Sequence, residues 1–353
     1  MKPKKIQTFS FCNDKEKFKP TLEMKVLSPI LLSGNGTSRS LNCPVIQSPL
    51  AGVSDQIFRK FVRRWSPKAL LFTEMVNAKS LEIGHGEEKV IELSEESGPI
   101  GVQLFDHRPD SMIDAAIKAE SSGAFLIDIN MGCPVKKIAR KGGGSALLKE
   151  PELAQLIVKK VSKAISIPLT VKIRLGWDET TNDPVSFALG LQDAGAQLIT
   201  VHGRTRKQGF SGNANWEAIS KIKNSLDIPV IANGDIKNSR DAIECLKITN
   251  ADGVMIGRAS MGAPWLVGQI DAEIKNQKTF IPPDAKMKIS LSLEHLKLLI
   301  LKKGNHGLLI ARKHMNWTCR GFQGASALRH KLVRANTPND AIKLLEEELV
   351  KLK

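Results

Sequence analysis

The segment Ile127-Asp128-Ile129-Asn130-Met131-Gly132-Cys133-Pro134 shows how the buried strands of this chain end, and the fold class follows from that pattern. A continuous apolar run, typical of a buried parallel strand, leads into the amide of Asn130 and then into the Cys133 thiol. Pro134 removes a backbone donor directly after the thiol. Gly142-Gly143-Gly144 follow and allow the backbone to fold closely over a ligand. The segment predicts a parallel strand that delivers a cysteine to an open loop.

Seven more β-rich runs, each followed by a helical pattern, extend this arrangement along the chain. The eight predicted strands lie at 44–48, 70–74, 100–104, 125–129, 169–173, 198–202, 229–233 and 253–257. Eight βα units over about 250 residues predict an α/β fold of the (β/α)8 TIM barrel type. The main alternative is a doubly wound sheet. It requires Gly-x-Gly-x-x-Gly after the first strand, and the turn at 51–55, Ala-Gly-Val-Ser-Asp, does not match.

Two further regions flank the predicted barrel, which spans 41–275. Residues 1–40 form a basic N-terminal arm for which we predict low order, with Asn35-Gly36 able to close a small hairpin. From about Pro282 the strand pattern stops. Apolar residues at helical spacing then predict a small helical domain over 276–353, with a helix start at Pro338.

The charge of the chain indicates the class of partner. A net charge of +16 favours a polyanion, nucleic acid before membrane. Between Leu301 and Arg334 there is no Asp or Glu, whereas a face that is merely soluble normally mixes both signs. The cations in that span are Lys302, Lys303, Arg312, Lys313, Arg320, Arg329, Lys331 and Arg334. A face of one sign predicts contacts with a phosphate backbone.

Five scattered cysteines without a Cys-x-x-Cys pair argue against a disulfide framework or a metal site and for a reducing, cytoplasmic setting. We find no secretory signal and no apolar stretch long enough to span a bilayer, so we expect no membrane partner.

Polar groups at the strand ends predict a site, because reactive groups of such barrels lie at the carboxyl ends of the strands. The loops after the last two strands commonly bind phosphate, and there Gly234, Gly257 and Arg258 supply close backbone approach and a charged donor. Lys172, inside an apolar strand, needs an anionic partner, which is either a bound ligand or the carboxylate of Asp128 or Glu74.

Taken together, these motifs resemble the tRNA-dihydrouridine synthases, and most of all their bacterial DusB-type branch. The matching segments are 48–55 with Phe58-Arg59, 73–76, 102–105, 128–134 with 142–144, 171–174, 202–205, 233–235, 256–258 and 311–314. The sequence departs from the family in its longer N-terminal arm and at Phe210, where an aromatic residue with a hydroxyl is common.

The resemblance implies an FMN-binding barrel, a tRNA-binding helical domain and NADPH or NADH as reductant; we predict no obligate protein partner. The residues implied to hold FMN are Pro49, Leu50, Ala51, Gln103, Lys172, His202, Asn233, Gly234, Asp235, Gly257 and Arg258. Cys133 is implied to be the proton donor, and Asn130 is implied to contact the uracil. The residues predicted to contact tRNA phosphates are Arg312, Lys313, Arg329, Lys331 and Arg334.

The predicted reaction is the flavin-dependent reduction of a D-loop uridine in tRNA to 5,6-dihydrouridine. FMN passes a hydride to C6 of uracil, and Cys133 protonates C5. One alternative is an FMN-dependent small-molecule ene reductase or a dihydroorotate-type dehydrogenase, which leaves the basic helices without a role. Another is a tRNA-binding protein that does not catalyse, which predicts loss of Cys133 or Lys172; both are present.

Overall fold

The computed structural model describes residues 27–352 except 92, 94, 95, 182 and 276–279. The strands are β1 (Ile30–Ser33), β2 (Ser38–Leu41), β3 (Val45–Gln47), β4 (Leu71–Phe72), β5 (Val76–Asn77), β6 (Ile100–Phe105), β7 (Leu126–Met131), β8 (Leu169–Arg174), β9 (Leu198–His202), β10 (Val230–Asn233) and β11 (Gly253–Ile256). The helices are α1 (Gln56–Trp65), α2 (Ala78–Glu82), α3 (Glu88–Ile91), α4 (Pro109–Ser121), α5 (Lys136–Ala139), α6 (Pro151–Ala164), α7 (Pro184–Asp193), α8 (Trp216–Ser225), α9 (Ser239–Thr249), α10 (Leu266–Ile274), α11 (Ala285–Lys303), α12 (His306–Thr318), α13 (Ala325–Leu332) and α14 (Pro338–Lys351).

Eight parallel strands form a nearly closed barrel in the order β3-β11-β10-β9-β8-β7-β6-β4. A hydrogen bond of 3.1 Å from the Gln47 backbone N–H to the Leu70 carbonyl joins the first and last strands of that order. The short β5 pairs with β6 beside them. Helices lie between successive barrel strands, so the predicted TIM barrel is confirmed and the doubly wound sheet is excluded.

The strand register arranges polar residues in rows across the barrel. Gln103 of β6 pairs with Asp128 of β7, which in turn pairs with Thr170 of β8. Two residues further along the strands, Asn130 pairs with Lys172. Because alternate residues of a strand face the same side, these two rows lie on one face of the sheet, one above the other. The last row, at the carboxyl ends of β8, β9 and β10, consists of Arg174, His202 and Asn233.

An antiparallel hairpin of β1 and β2 closes the other end of the barrel. Its turn contains Gly36 at φ 96°, so the predicted hairpin is confirmed. Leu32 and Leu41 of the hairpin are buried with Phe72 and Met255 of the barrel strands. The predicted low order of the arm is therefore wrong for residues 30–41, because alternate apolar side chains cover the open end of the barrel. Residues 1–26 lie outside the described residues.

The C-terminal helices α11 to α14 form a second apolar cluster that includes Phe61 of α1 and Trp265 next to α10. An ion pair between Arg64 and Glu294 also joins α1 to α11. The Thr337 side chain caps α14 together with Asp340, at the helix start that the sequence predicts. Within the described ranges, no helix is long and apolar enough to cross a membrane.

Candidate active site

A cavity of about 850 Å³ opens at the carboxyl ends of the barrel strands. Its volume lies in the range usual for ligand sites. The predicted site residues that line it are Pro49, Leu50, Ala51, Asn130, Cys133, Lys172, His202, Asn233, Gly234, Asp235, Gly257 and Arg258. The register described above explains this convergence, because strand ends that are distant in sequence share one rim.

Cys133 lies in this cavity with only 9% of its surface exposed. Burial raises the pKa of its thiol, although Arg174 and Lys172 act in the opposite direction. Gly144 passes directly behind the cysteine: a Cβ placed on it would lie 3.2 Å from the Cys133 Cβ. The Ser145 backbone N–H also donates to the Cys133 carbonyl at 3.2 Å. The thiol therefore keeps its proton at neutral pH. The contacts with Gly144 and Ser145 fix the position of the backbone that carries it.

Lys172 donates a hydrogen bond of 3.0 Å from Nζ to Oδ1 of Asn233. Burial lowers the pKa of its ammonium group to about 8, with a further contribution from Arg174. The two carboxylates that the sequence offered as partners of Lys172 accept hydrogen bonds from other groups. Asp128 accepts bonds from other side chains of the barrel, and Glu74 accepts from the Gly52 backbone N–H. Lys172 thus reaches the cavity bonded only to a neutral amide among the contacts described.

Arg174 connects the Cys133 loop to the loop after β9. Its Nε donates to the Gly132 carbonyl at 2.8 Å, and its Nη1 donates to the carbonyls of Thr205 and Gly209 at 2.9 and 2.8 Å. Burial, followed by repulsion from Arg204, lowers the pKa of the Arg174 guanidinium to about 10. The arginine remains charged at neutral pH.

Arg204, which is buried, and Asp235, which is partly buried, form an ion pair in the cavity wall. Arg204 Nη2 donates hydrogen bonds to Asp235 Oδ2 and to the Gly212 carbonyl, each at 2.6 Å. The same carboxylate oxygen accepts from the Ala214 backbone N–H at 2.7 Å. Hydrogen bonds and the charge of Arg204 lower the pKa of Asp235 despite its partial burial, the largest opposing effect. The Asp235 carboxylate therefore holds the loop after β9 and an arginine.

His202 is buried at the end of β9, and it is neutral. Burial, together with Lys172 and Arg174, lowers the pKa of its imidazole to about 2. Arg204 Nη1 lies 3.4 Å from His202 Nε2. Because a guanidinium can only donate, Nε2 accepts and the imidazole proton lies on Nδ1.

Gly234 and Gly257 form the rim at which the sequence predicts a phosphate. Gly234 has φ 119°, and a Cβ on it would lie 2.7 Å from the Ala214 Cβ, so only glycine fits. Arg258 follows Gly257 at the start of a short 3₁₀ turn, Arg258–Ser260, and is half exposed. Its guanidinium lies 4.3 Å above the Phe210 ring. Its Nη2 also lies 3.7 Å from Asp235 Oδ1. These groups offer a glycine backbone and a half-exposed cation to an anion.

Gln103 and Asn130 are bonded mainly to other protein groups. Gln103 is completely buried, and its Nε2 donates to Asp128 Oδ2 at 2.6 Å. Asn130 Nδ2 donates to Gln103 Oε1 at 2.8 Å, and Asn130 Oδ1 accepts from the Cys133 backbone N–H at 2.9 Å. Asn130 also lines the cavity, whereas Gln103 lies beneath it.

Three of the predicted tRNA contacts also bind the helical domain itself. Arg312, Arg329 and Arg334 donate to backbone carbonyls at 2.8, 2.9 and 3.1 Å. Lys331 is exposed. Lys313 lies near the barrel site, because a Cβ on Gly52, next to Ala51, would be 3.1 Å from its Nζ. The sequence did not show this division of the cations between surface and packing.

Arg174 and Arg204 are the functional residues for which the sequence predicted no role. Both lie in the quoted strand-end segments, and both are nearly completely buried in the wall of the cavity. A buried arginine needs partners, so its position at a strand end was the available signal. The structure also places the cations of Lys149 and Arg206 over the Trp177 ring, 4.7 and 4.2 Å from its centroid. Among the described residues, no cluster of three or more His, Cys, Asp or Glu side chains could hold a metal ion.

Comparison with known proteins gives consistent matches. A family model described as dihydrouridine synthase matches residues 46–353. A relative from Synechocystis sp. described as probable tRNA-dihydrouridine synthase 1 is 49% identical over 88% of both chains. A probable tRNA-dihydrouridine synthase of Rickettsia bellii is 38% identical over 84% of this chain and 92% of its own. The tRNA-dihydrouridine synthase B of Pasteurella multocida is 37% identical over 88% of this chain and 93% of its own.

Proposed function

The chain belongs to the dihydrouridine synthase family, and we propose that it reduces a D-loop uridine of tRNA to 5,6-dihydrouridine with FMN as cofactor and NADPH or NADH as reductant. The observation that carries this proposal is one cavity in which a protonated thiol, Cys133, lies with the buried ammonium group of Lys172 and the rim at Gly234, Gly257 and Arg258. An acid, a cation and an anion-binding rim are what a flavin-dependent reduction of a flat base requires.

The residues present fit a flavin mononucleotide. Gly234, Gly257 and Arg258 would hold its phosphate, and Lys172 would balance the negative charge at N1 of the reduced ring. Pro49, Leu50 and Ala51 would line the ring edge, as cavity-wall residues with small or apolar side chains. His202, Asn233 and Asp235 complete the proposed set on the cavity wall. Gln103, which the family resemblance also implies, lies beneath the cavity with its amide bonded to Asp128 and Asn130, so it would support the site from below. When bound, FMN supplies the hydride for C6 of uracil.

Cys133 supplies the other half of the reduction, a proton for C5 of uracil. A general acid must hold its proton at working pH, and burial of the thiol favours that protonated form. Asn130, on the cavity wall beside it, can donate an amide N–H to the edge of the base, because its Oδ1 already accepts from the backbone N–H groups of Gly132 and Cys133. The target uridine must leave its stack to reach this site, because a stacked base cannot approach a flavin at the bottom of a cavity.

The helical domain supports tRNA as the substrate. The span from Leu301 to Arg334 carries no acidic residue, and we propose that its exposed cations contact the phosphate backbone. Lys331 is exposed and can reach a phosphate. Lys313 extends this basic surface to the loop at the mouth of the cavity. Arg312, Arg329 and Arg334 would contribute their remaining N–H groups.

Reconstitution tests the proposed function directly. The purified protein should bind FMN, NADPH should reduce it under anaerobic conditions, and tRNA that lacks dihydrouridine should then reoxidise it and acquire the base. Oxidised flavin must return with one dihydrouridine for each flavin consumed. Reduced flavin that is reoxidised by small enones but not by tRNA would support a small-molecule reductase instead.

The role of Cys133 gives a second test. We expect Cys133→Ala to bind FMN and accept electrons from NADPH normally, but to form dihydrouridine roughly 10²–10⁴-fold more slowly, the usual contribution of a positioned acid. Cys245→Ala, which changes a buried thiol on α9 far along the chain, is the control and should keep the normal rate. Equal rates in the two variants would exclude Cys133 as the proton donor.

A further inference from the structure

A continuous series of hydrogen bonds runs from the barrel interior to the backbone of the catalytic cysteine. Asp128 Oδ2 accepts from Gln103 Nε2 at 2.6 Å, and Gln103 Oε1 accepts from Asn130 Nδ2 at 2.8 Å. Asn130 Oδ1 then accepts from the backbone N–H groups of Gly132 and Cys133 at 3.0 and 2.9 Å. We call Asp128, Gln103 and Asn130 the amide relay.

The direction of every bond in the amide relay is determined by its two ends. The backbone N–H groups of Gly132 and Cys133 can only donate, so Asn130 must present its oxygen to them. Its nitrogen then faces Gln103, which must present an oxygen in return. The nitrogen of Gln103 is left to face position 128, where a carboxylate supplies the acceptor. An oxygen at position 128 therefore sets the orientation of both amides.

Asp128 is otherwise a costly residue for the barrel interior. It is 2% exposed, and burying a carboxyl group is unfavourable unless its oxygens are bonded. Its second oxygen accepts from Thr170 Oγ1 at 2.6 Å, which satisfies the group but leads to no other part of the site. The strand register places Gln103, Asp128 and Thr170 in one row directly below Asn130 and Lys172.

We propose that Asp128 is a positioning residue for Cys133: through the orientation of Gln103 and Asn130, it holds the backbone of the Cys133 loop where the thiol meets the substrate. This inference rests on the proposed function, which makes Cys133 the proton donor. The requirement is for an acceptor oxygen facing Gln103 rather than for a charge. Loss of the Asp128–Gln103 bond or of the Gln103–Asn130 bond should therefore loosen the Cys133 loop.

The test measures the reactivity of the Cys133 thiol and the opening of its loop, without flavin or tRNA. We would follow alkylation of Cys133 by iodoacetamide in the full-length protein with peptide mass spectrometry, and amide hydrogen exchange of the 130–135 segment. Asp128→Leu removes the acceptor at similar volume. Thr170→Val is the matched control, since it removes the other bond of Asp128 and leaves the relay intact. Asp128→Asn keeps an oxygen for Gln103 by turning its nitrogen to Thr170 Oγ1.

We expect Asp128→Leu to accelerate alkylation about tenfold, as the loss of one hydrogen bond that holds a loop would. Thr170→Val and Asp128→Asn should react at the wild-type rate. In the flavin-loaded protein, Asp128→Leu should lower kcat for tRNA and leave the NADPH half-reaction unchanged. Equal acceleration in Asp128→Leu and Thr170→Val, or acceleration in neither, would overturn the proposal.

A variant that breaks the next link keeps the proposal testable should Asp128→Leu fail to fold. Gln103→Met has a similar length, leaves Asp128 bonded to Thr170 and removes the amide oxygen and nitrogen from the middle of the relay. It should also accelerate alkylation of Cys133, and a wild-type rate would reject the relay. Since alkylation needs neither cofactor nor tRNA, a relay that fails leaves the proposed function intact, and a failed reconstitution leaves the relay result intact.

Discussion

Gly144 packs directly against the Cys133 side chain. It adopts φ 60°, and a Cβ on it would lie 3.1 Å from the Ile138 Cγ2 and 3.2 Å from the Cys133 Cβ. We expect Gly144→Ala to lower the free energy of unfolding by about 1–2 kcal/mol, the cost of a left-handed conformation for a side chain. The displaced cysteine should also reduce dihydrouridine formation.

Gly143 is the matched control for this prediction. It has φ −92°, and a Cβ on it would make only ordinary contacts at 3.6 Å or more. Gly143→Ala should change stability by no more than about 0.5 kcal/mol. Urea denaturation and dihydrouridine formation would compare the two variants, and an equal effect of both would show that the glycine run matters only for flexibility.

The β1–β2 hairpin covers the end of the barrel away from the site, and its contribution is to stability. Leu32 is 1% exposed among the apolar side chains of the barrel interior, whereas Leu31, one residue earlier, is 69% exposed. We expect Leu32→Ala to cost about 2–5 kcal/mol of unfolding free energy, as buried Leu→Ala changes do, and Leu31→Ala to have little effect. Urea denaturation measures both.

Flavin reduction in the Leu32→Ala protein that remains folded should proceed at the normal rate, because the hairpin and the cavity lie at opposite ends of the strands. A variant with normal stability would show that the hairpin merely rests on the barrel. The hairpin edge also bonds to the turn after α6, where Thr37 Oγ1 donates to the Ser166 carbonyl at 2.7 Å. That contact ties the hairpin to the helical layer.

Association with tRNA should depend on the uneven charge of the molecule as a whole. Lys331 is exposed in the span without acidic residues, while Lys343 is exposed on α14 within 4.0 Å of Glu347. We expect Lys331→Ala to weaken tRNA binding and to reduce the slope of log affinity against log salt by about 0.7–0.9, the effect of one lost phosphate contact. Lys343→Ala should leave both unchanged. Identical slopes in the two variants would show that the basic span only keeps the surface soluble and does not contact tRNA.

Stability towards acid should depend on the interface between the barrel and the helical domain. His295 and His314 lie there with ring centroids 4.4 Å apart, and Phe61 packs against His295 at 5.0 Å. Burial lowers the pKa of His295 to about 3 and that of His314 to about 2, the latter also through repulsion from His295 and Lys313. Both imidazoles stay neutral in the folded protein, whereas an unfolded histidine titrates near a pKa of about 6.5.

The unfolded chain therefore binds more protons than the folded chain below about pH 6.5. The stability is fully present above that pH and falls as the pH drops towards about 3, by about 2 kcal/mol per imidazole between pH 7 and pH 5. Asp128 opposes this loss, because burial raises its pKa to about 6 and the folded state takes up that proton first. His295→Leu should reduce the loss between pH 7 and pH 5 by about 2 kcal/mol in urea denaturation. An unchanged loss would contradict the assignment.

Local patterns in the amino-acid sequence were enough to predict the barrel fold, the positions of its strands and a cysteine that follows one strand end. Continuous apolar runs and the helical patterns between them are local properties, so they predicted eight strands of which the second alone is much shorter than expected, at Leu71–Phe72. The strand-end motifs also predicted residues that do meet in one cavity, since the carboxyl ends of parallel strands share one rim.

Other features depended on which strands and loops meet in space, and no local pattern contains that information. Lys172 binds Asn233 rather than a carboxylate, and Asp128 binds Gln103, because the register of β6 to β10 sets these neighbours. Arg174 is buried among carbonyl groups of the loops after β7 and β9, and Arg204 pairs with Asp235 at the end of β10. The sequence supplied the chemical groups, while long-range packing selected their partners, since each pairing joins residues that are distant along the chain.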